Sequence, residues 1–234
     1  MPGQGYHYGF SRLVAERAGR KFSKEMAVGS LVVDALNAAA GSRRNSHFTG
    51  GAGCVLPYYT ELRQCSSIQG WDSGFKKSYL VDPRIDMRLM EAASIHIPEG
   101  DCKDGIRLHL LADRAYDQLV QTKLFDVSHQ RDNIITVRKT GQVLDGATFR
   151  KELYASYPML DQYLMDLADV TADEIDSVKE LLHSTLSDAH AEFISKYLNF
   201  NSGYEWHDTA FFNKQNINSL VEVAVQTAIK YLNW

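Results

Sequence analysis

The residues able to do chemistry gather in the first half of this 234-residue chain. The sharpest group is Leu108-His109-Leu110-Leu111-Ala112-Asp113, with a histidine and an aspartate four residues apart. On a helix that spacing turns both side chains to the same side. The neighbours are apolar, and a charged aspartate among apolar groups is costly unless it is paired or holds a metal. The pattern also suits a surface His–Asp contact, or a core histidine oriented by a carboxylate. Asp34 likewise interrupts an apolar run, Ala27-Val28-Gly29-Ser30-Leu31-Val32-Val33-Asp34-Ala35-Leu36. It is either an inward ligand or, with Asn37 three residues on, a solvated helix edge. Ser46-His47-Phe48 stands beside a loop with three glycines in positions 50–53. Tyr6-His7-Tyr8 lies near the start, where a histidine between aromatics also serves packing alone.

Taken together, His7, Asp34, His47, His109 and Asp113 form a nitrogen- and oxygen-donor set suited to a divalent metal. Zinc is the first expectation, with manganese or iron as alternatives. Ligands that project from separate helices into one interior are how metal sites are built in helical bundles. Five such groups can hold one ion with an open position, or two ions sharing a carboxylate.

The ordered set resembles the zinc-dependent phospholipase C group and related bacterial helical metal-dependent hydrolases. The matching pieces are Tyr6-His7-Tyr8, Gly29-Ser30-Leu31-Val32-Val33-Asp34, Ser46-His47-Phe48 and the His109 to Asp113 segment, all before about residue 125. The resemblance implies an all-α, metal-bound fold with phosphoester hydrolysis as the ancestral chemistry. The secreted enzymes of that group also use the mature N-terminus as a ligand and carry a downstream His-x3-Glu. Here no signal peptide is read, and none of the eight histidines has a glutamate four residues later. One or two ions are therefore expected rather than three, as in HD-type phosphohydrolases, although the only His-Asp dipeptide is His207-Asp208.

The expected reaction follows from such a site. A bound metal lowers the pKa of its water toward ~7, and the resulting hydroxide attacks phosphorus in line. His129 is the candidate acid for the leaving group. Arg43, Arg44, Arg114 and Lys123 can neutralise a phosphate or serve as ordinary surface charge. His183 and His190, seven apart, are weaker candidates for a second ion. The substrate is expected to be a small phosphorylated molecule or a phospholipid headgroup. A soluble substrate is favoured, because no strongly amphipathic basic helix offers itself to a membrane. The competing readings are a metal-binding protein without catalysis and a metal-free helical interaction module.

These residues need a scaffold, and the sequence reads as mainly helical. Only five prolines occur, and long stretches repeat apolar residues at helical spacing. Helices are expected at about 9–18, 23–40 (with Ser23 as N-cap), 83–96, 102–125, 147–166, 172–198 and 215–232. Thr171 and Glu174 resemble a capping box. Ile134-Ile135-Thr136-Val137 followed by Val143-Leu144 predicts a small β-hairpin near 133–144. One helical domain over 1–234 is the expected organisation, with 146–234 as scaffold or lid.

Composition sets the outer limits. Hydrophobic residues make up 44% and charged residues 23%, which excludes disordered, collagen-like and disulfide-dense classes. A net charge of −4 offers no basic face for nucleic acid. Cys54, Cys65 and Cys102 make no CxxC pair and read as free thiols in a reducing, cytoplasmic setting. No apolar run reaches the ~20 residues of a membrane span.

Overall fold

The computed structural model describes residues 3–40, 99–119, 125–126, 134–137, 140–200, 205–209 and 212–234. Its elements in chain order are α1 (Gln4–Arg17), α2 (Lys24–Ala40), α3 (Asp101–Leu119), β1 (Phe125–Asp126), β2 (Ile134–Val137), β3 (Val143–Asp145), α4 (Gly146–Ala155), α5 (Tyr157–Leu167), α6 (Ala172–Thr185), α7 (Asp188–Tyr197) and α8 (Lys214–Leu232). The architecture is mostly helical with a small antiparallel sheet, as the sequence predicts.

Helix α1 is the hub. Every residue from Gln4 to Ser11 is buried, and the helix packs on α2, α3, α5, α7 and α8. It begins five residues earlier than expected, so Tyr6-His7-Tyr8 lies inside the helix. Glycine makes that central position sterically possible. A Cβ on Gly9 would stand 2.5 Å from the carbonyl carbon of Leu164, so α1 and α5 meet backbone to backbone. The N-terminus of α1 has no cap from its own N-cap residue, Gly3. Instead Asp161 of α5 accepts hydrogen bonds from the Gly3 and Tyr6 amides at 2.8 and 3.3 Å. A carboxylate there satisfies orphan N–H groups and suits the positive end of the helix dipole.

Helices α2 and α3 form the most extensive pairing. Ser23 caps α2 as predicted, its Oγ accepting from the Met26 amide at 3.1 Å. The two helices cross on a pair of glycines. A Cβ on Gly29 would lie 2.1 Å from the Cys102 carbonyl oxygen, and one on Gly105 would lie 2.2 Å from that of Met26. Only residues without a Cβ permit this approach.

The strands form one sheet in the order β1-β2-β3. The β2–β3 hairpin pairs Ile135 with Leu144 and Thr136 with Val143, close to the predicted position. Gly141 supplies the left-handed backbone of its turn, at φ 68°. Strand β1 was not foreseen; it adds Phe125 opposite Val137. The described helix α3 ends at Leu119, and residue 125 belongs to β1, not to the helix expected to reach it.

Two expected helices are each divided. The 147–166 span breaks at Ser156, whose Oγ donates to the Leu153 carbonyl, and α5 restarts with Pro158 in its first turn. The 172–198 span breaks because Leu186 turns to extended backbone and Ser187 starts α7. Thr171 caps α6 through the Glu174 amide as predicted, but the Glu174 carboxylate does not close the box. It accepts from Tyr8 at 2.7 Å and pairs with Arg12, tying α6 to α1. No helix among the described residues is long and apolar enough to cross a membrane.

Candidate metal centre

Three helices deliver the site. His7 comes from the buried turn of α1, Asp34 from α2, and His109 and Asp113 from successive turns of α3. The side chains of His7, His109 and Asp113 are 0% exposed, and Asp34 is 17% exposed. Among the described residues, solvent therefore reaches the cluster on the Asp34 side.

The glycine crossing sets the geometry. Gly29 lies five residues before Asp34, and Gly105 lies four before His109. Backbone contact at the glycines brings the next turns of both helices within reach of each other. His109 Nδ1 lies 2.7 Å from the Ser30 carbonyl oxygen. A carbonyl only accepts, so Nδ1 carries a proton, and Nε2 is the ring nitrogen turned toward the cluster, a ligand atom whenever the ring is neutral. The Ser30 hydroxyl is turned away, donating to the Ala27 carbonyl at 2.8 Å.

The donor atoms face one another at ion-pair distances. His7 Nε2 is 3.5 Å from Asp113 Oδ1 and 3.9 Å from Asp34 Oδ2. His109 Nε2 is 3.7 Å from Asp113 Oδ2 and 3.9 Å from Asp34 Oδ1. A neutral imidazole facing two carboxylates in a buried setting is repulsive, and either a proton on the ring or a cation between the groups relieves it. Ligands about 2.0–2.2 Å from a shared ion stand roughly 3–4 Å from one another, and the observed spacing falls in that interval. His7, Asp34 and His109 each offer an atom within 4.8 Å of the others, and Asp113 completes the set.

The supports around these donors follow the pattern of metal sites, in which outer partners orient the ligands. Gln4 Nε2 donates to Asp34 Oδ2 at 2.9 Å. Gln4 itself is 2% exposed. Asp161 anchors the turn of α1 that carries both Gln4 and His7. Burial first, and then the charge of Asp34, push the Asp161 carboxyl up to about 7 against the opposing pull of its amide donors. Tyr6 packs edge-on to the His7 ring and itself contacts the buried rings of Phe10 and Tyr116.

Four of the sequence-predicted ligands thus converge: His7, Asp34, His109 and Asp113. The fifth, His47, and the predicted acid, His129, lie outside the described residues, as do Arg43, Arg44 and Lys123. His183 and His190 do not share one helix face. They belong to α6 and α7, His183 is exposed, and His190 meets the Ser187 hydroxyl at 3.0 Å. Cys102 is a free thiol whose pKa burial pushes up, with Glu25 adding to the effect. Sequence reasoning missed Gln4, the Ser30 carbonyl and Asp161. Gln4 precedes His7 by one helical turn, which is the one signal that pointed to it. No family model matches the chain, and no curated protein and no solved structure matches it.

Proposed function

We propose that the protein is a divalent-metal-dependent phosphoester hydrolase, with His7, Asp34, His109 and Asp113 as ligands. The observation that carries the reading is the convergence of two histidine donors and two carboxylates from three helices in a buried pocket. A divalent ion held there supplies Lewis acidity, activating water and offsetting phosphate charge. The chain's own residues do the rest. Ser30 orients the His109 ring, Gln4 orients Asp34, and burial keeps bulk water from His7, His109 and Asp113. Zinc fits this imidazole–carboxylate set, and manganese and iron fit it as well. A small phosphorylated substrate would approach from the Asp34 side. The resemblance to the phospholipase C group supports phosphorus chemistry over other metal-assisted hydrolysis.

The test is elemental analysis of untagged protein purified without chelator, followed by turnover of mono- and bis-p-nitrophenyl phosphate. Bound zinc, manganese or iron is expected in the wild type and not in His109→Ala or Asp113→Asn. Activity should fall in parallel with the bound metal, because the activated water is lost with it. A wild type that takes up no metal, even after reconstitution, overturns the reading. Metal uptake with no turnover of any phosphoester leaves a metal-binding protein and overturns the hydrolase assignment.

A further inference from the structure

The rings of His7 and His109 are stacked, with centroids 3.7 Å apart and planes 15° from parallel. This arrangement limits how many ions the pair can serve. An imidazole lone pair lies in the ring plane, so a ligated ion sits close to that plane, about 2.0–2.1 Å from nitrogen. Two planes 3.7 Å apart and tilted by 15° meet only roughly 14 Å away. A single ion held midway between the rings would lie roughly 1.8 Å out of each plane, about 60° off each lone pair at that bond length. Neither ring would ligate it well. Two ions, each in the plane of its own histidine, meet no such conflict.

The carboxylates follow the same division. Asp113 presents Oδ1 to His7 and Oδ2 to His109, at 3.5 and 3.7 Å. Asp34 presents Oδ2 to His7 and Oδ1 to His109, both at 3.9 Å. Each carboxylate therefore spans the pair of rings with one oxygen toward each nitrogen, which is the disposition of a bridging ligand.

We propose that the cluster is built for two divalent ions, one in line with each histidine, bridged by Asp34 and Asp113. The inference rests on the metal-centre reading above and adds its nuclearity. Ions following the ring spacing would stand about 3.7 Å apart, inside the roughly 3.5–4 Å interval of two-metal hydrolytic sites. Each ion receives one nitrogen and two oxygens from the described residues, which leaves positions for water and substrate oxygens. Two divalent ions against two carboxylates also leave a surplus of positive charge. That surplus suits an anionic phosphoester lying across both ions.

Manganese alone is the probe. Metal-free full-length protein is titrated with Mn²⁺ by calorimetry, and the same samples are examined by electron paramagnetic resonance. Two equivalents are expected. Exchange coupling should replace the six-line mononuclear spectrum as the second ion enters. Asp113→Asn should abolish the coupling, and His7→Ala should bind one ion fewer, with circular dichroism confirming that each is folded. One equivalent with an uncoupled six-line spectrum overturns the two-ion proposal and leaves the metal centre intact. No bound Mn²⁺ overturns the two-ion proposal, and if the elemental analysis above also finds no metal, the metal centre falls with it. If His7→Ala still holds two coupled ions, the second ion is held elsewhere and the assignment falls. Should a variant fail to fold, the wild-type stoichiometry and spectrum decide alone.

Discussion

Gly105→Ala tests whether the helix crossing builds the site. The added Cβ would stand 2.2 Å from the Met26 carbonyl oxygen and 2.8 Å from the Ser30 amide nitrogen. Ordinary contact begins at 3.4 Å, so α2 and α3 must part by about 1.2 Å there. Both obstacles are backbone atoms, and no side-chain rotation relieves them. Two effects oppose each other. Alanine in a helix interior is favoured over glycine by about 1 kcal/mol. Overpacking typically costs about 1–3 kcal/mol, and a rigid backbone neighbour puts this site at or above the upper end. The net expectation is destabilisation by about 2 kcal/mol, which for a chain of this size lowers Tm by roughly 4–8 °C. The effect on metal should be larger than the stability loss suggests. If the full separation reaches Ser30, its bond to His109 stretches from 2.7 Å to about 3.9 Å, beyond hydrogen-bond reach. Loss of such an orienting partner lowers metal affinity about 10- to 100-fold. Thermal melts with and without Mn²⁺, together with calorimetry, read both quantities. A variant with wild-type Tm and wild-type affinity would mean that the glycines do not set the distance between the ligand-bearing turns.

Three further perturbations separate the supports from the ligands. Gln4→Leu removes the donor to Asp34 but no ligand, so Mn²⁺ affinity should fall about 10- to 100-fold with stoichiometry unchanged; an unchanged affinity would show that Asp34 is oriented without it. In metal-free protein, the Asp161 carboxyl holds its proton up to about pH 7, against an ordinary value of 3.8. Between those values the unfolded chain ionises this group while the folded chain does not, so its contribution to stability is lost as pH rises through the window and is flat above it. Asp161→Asn should remove that slope, and parallel wild-type and variant curves across this range in denaturant titrations would refute the burial of Asp161. Thr171→Ala deletes the α6 N-cap and should cost about 1 kcal/mol with metal binding unaffected, measured by chemical denaturation and calorimetry.

The fold was legible where local chemistry decides it. Ser23 and Thr171 mark helix starts because their hydroxyls satisfy amides that the helix leaves open. The β-branched run at 134–137 marks β2 for a similar local reason. The divided helices were missed because apolar spacing continues across their breaks. Leu186 keeps the period of α6, yet leaves the helix while remaining partly buried against the core. The serine that follows it, and Asp145 ahead of α4, carry the boundary signal in their residue types. Strand β1 was hidden for the opposite reason: two residues have no periodicity, and only pairing with β2 defines them.

The candidate site divides along the same line. Histidine and aspartate at helical spacing announce donor chemistry, so His109, Asp113, His7 and Asp34 could be named from the sequence. Their arrangement depends on groups with no chemical signature of their own. Ser30 acts through a backbone carbonyl, and its side chain is occupied elsewhere. Asp161 lies more than 150 positions from the amides it caps. The glycines, however, carried geometric information. A glycine four residues before His109 and another five before Asp34 put the closest approach of two helices about one turn from each donor. Four donors become one cluster because the crossing point, and not the donors themselves, sets the distance between the turns. A His-x3-Asp pattern preceded by a glycine one turn earlier, with a second glycine-bearing helix to cross, therefore places these donors in one buried cluster more directly than the donor spacing alone.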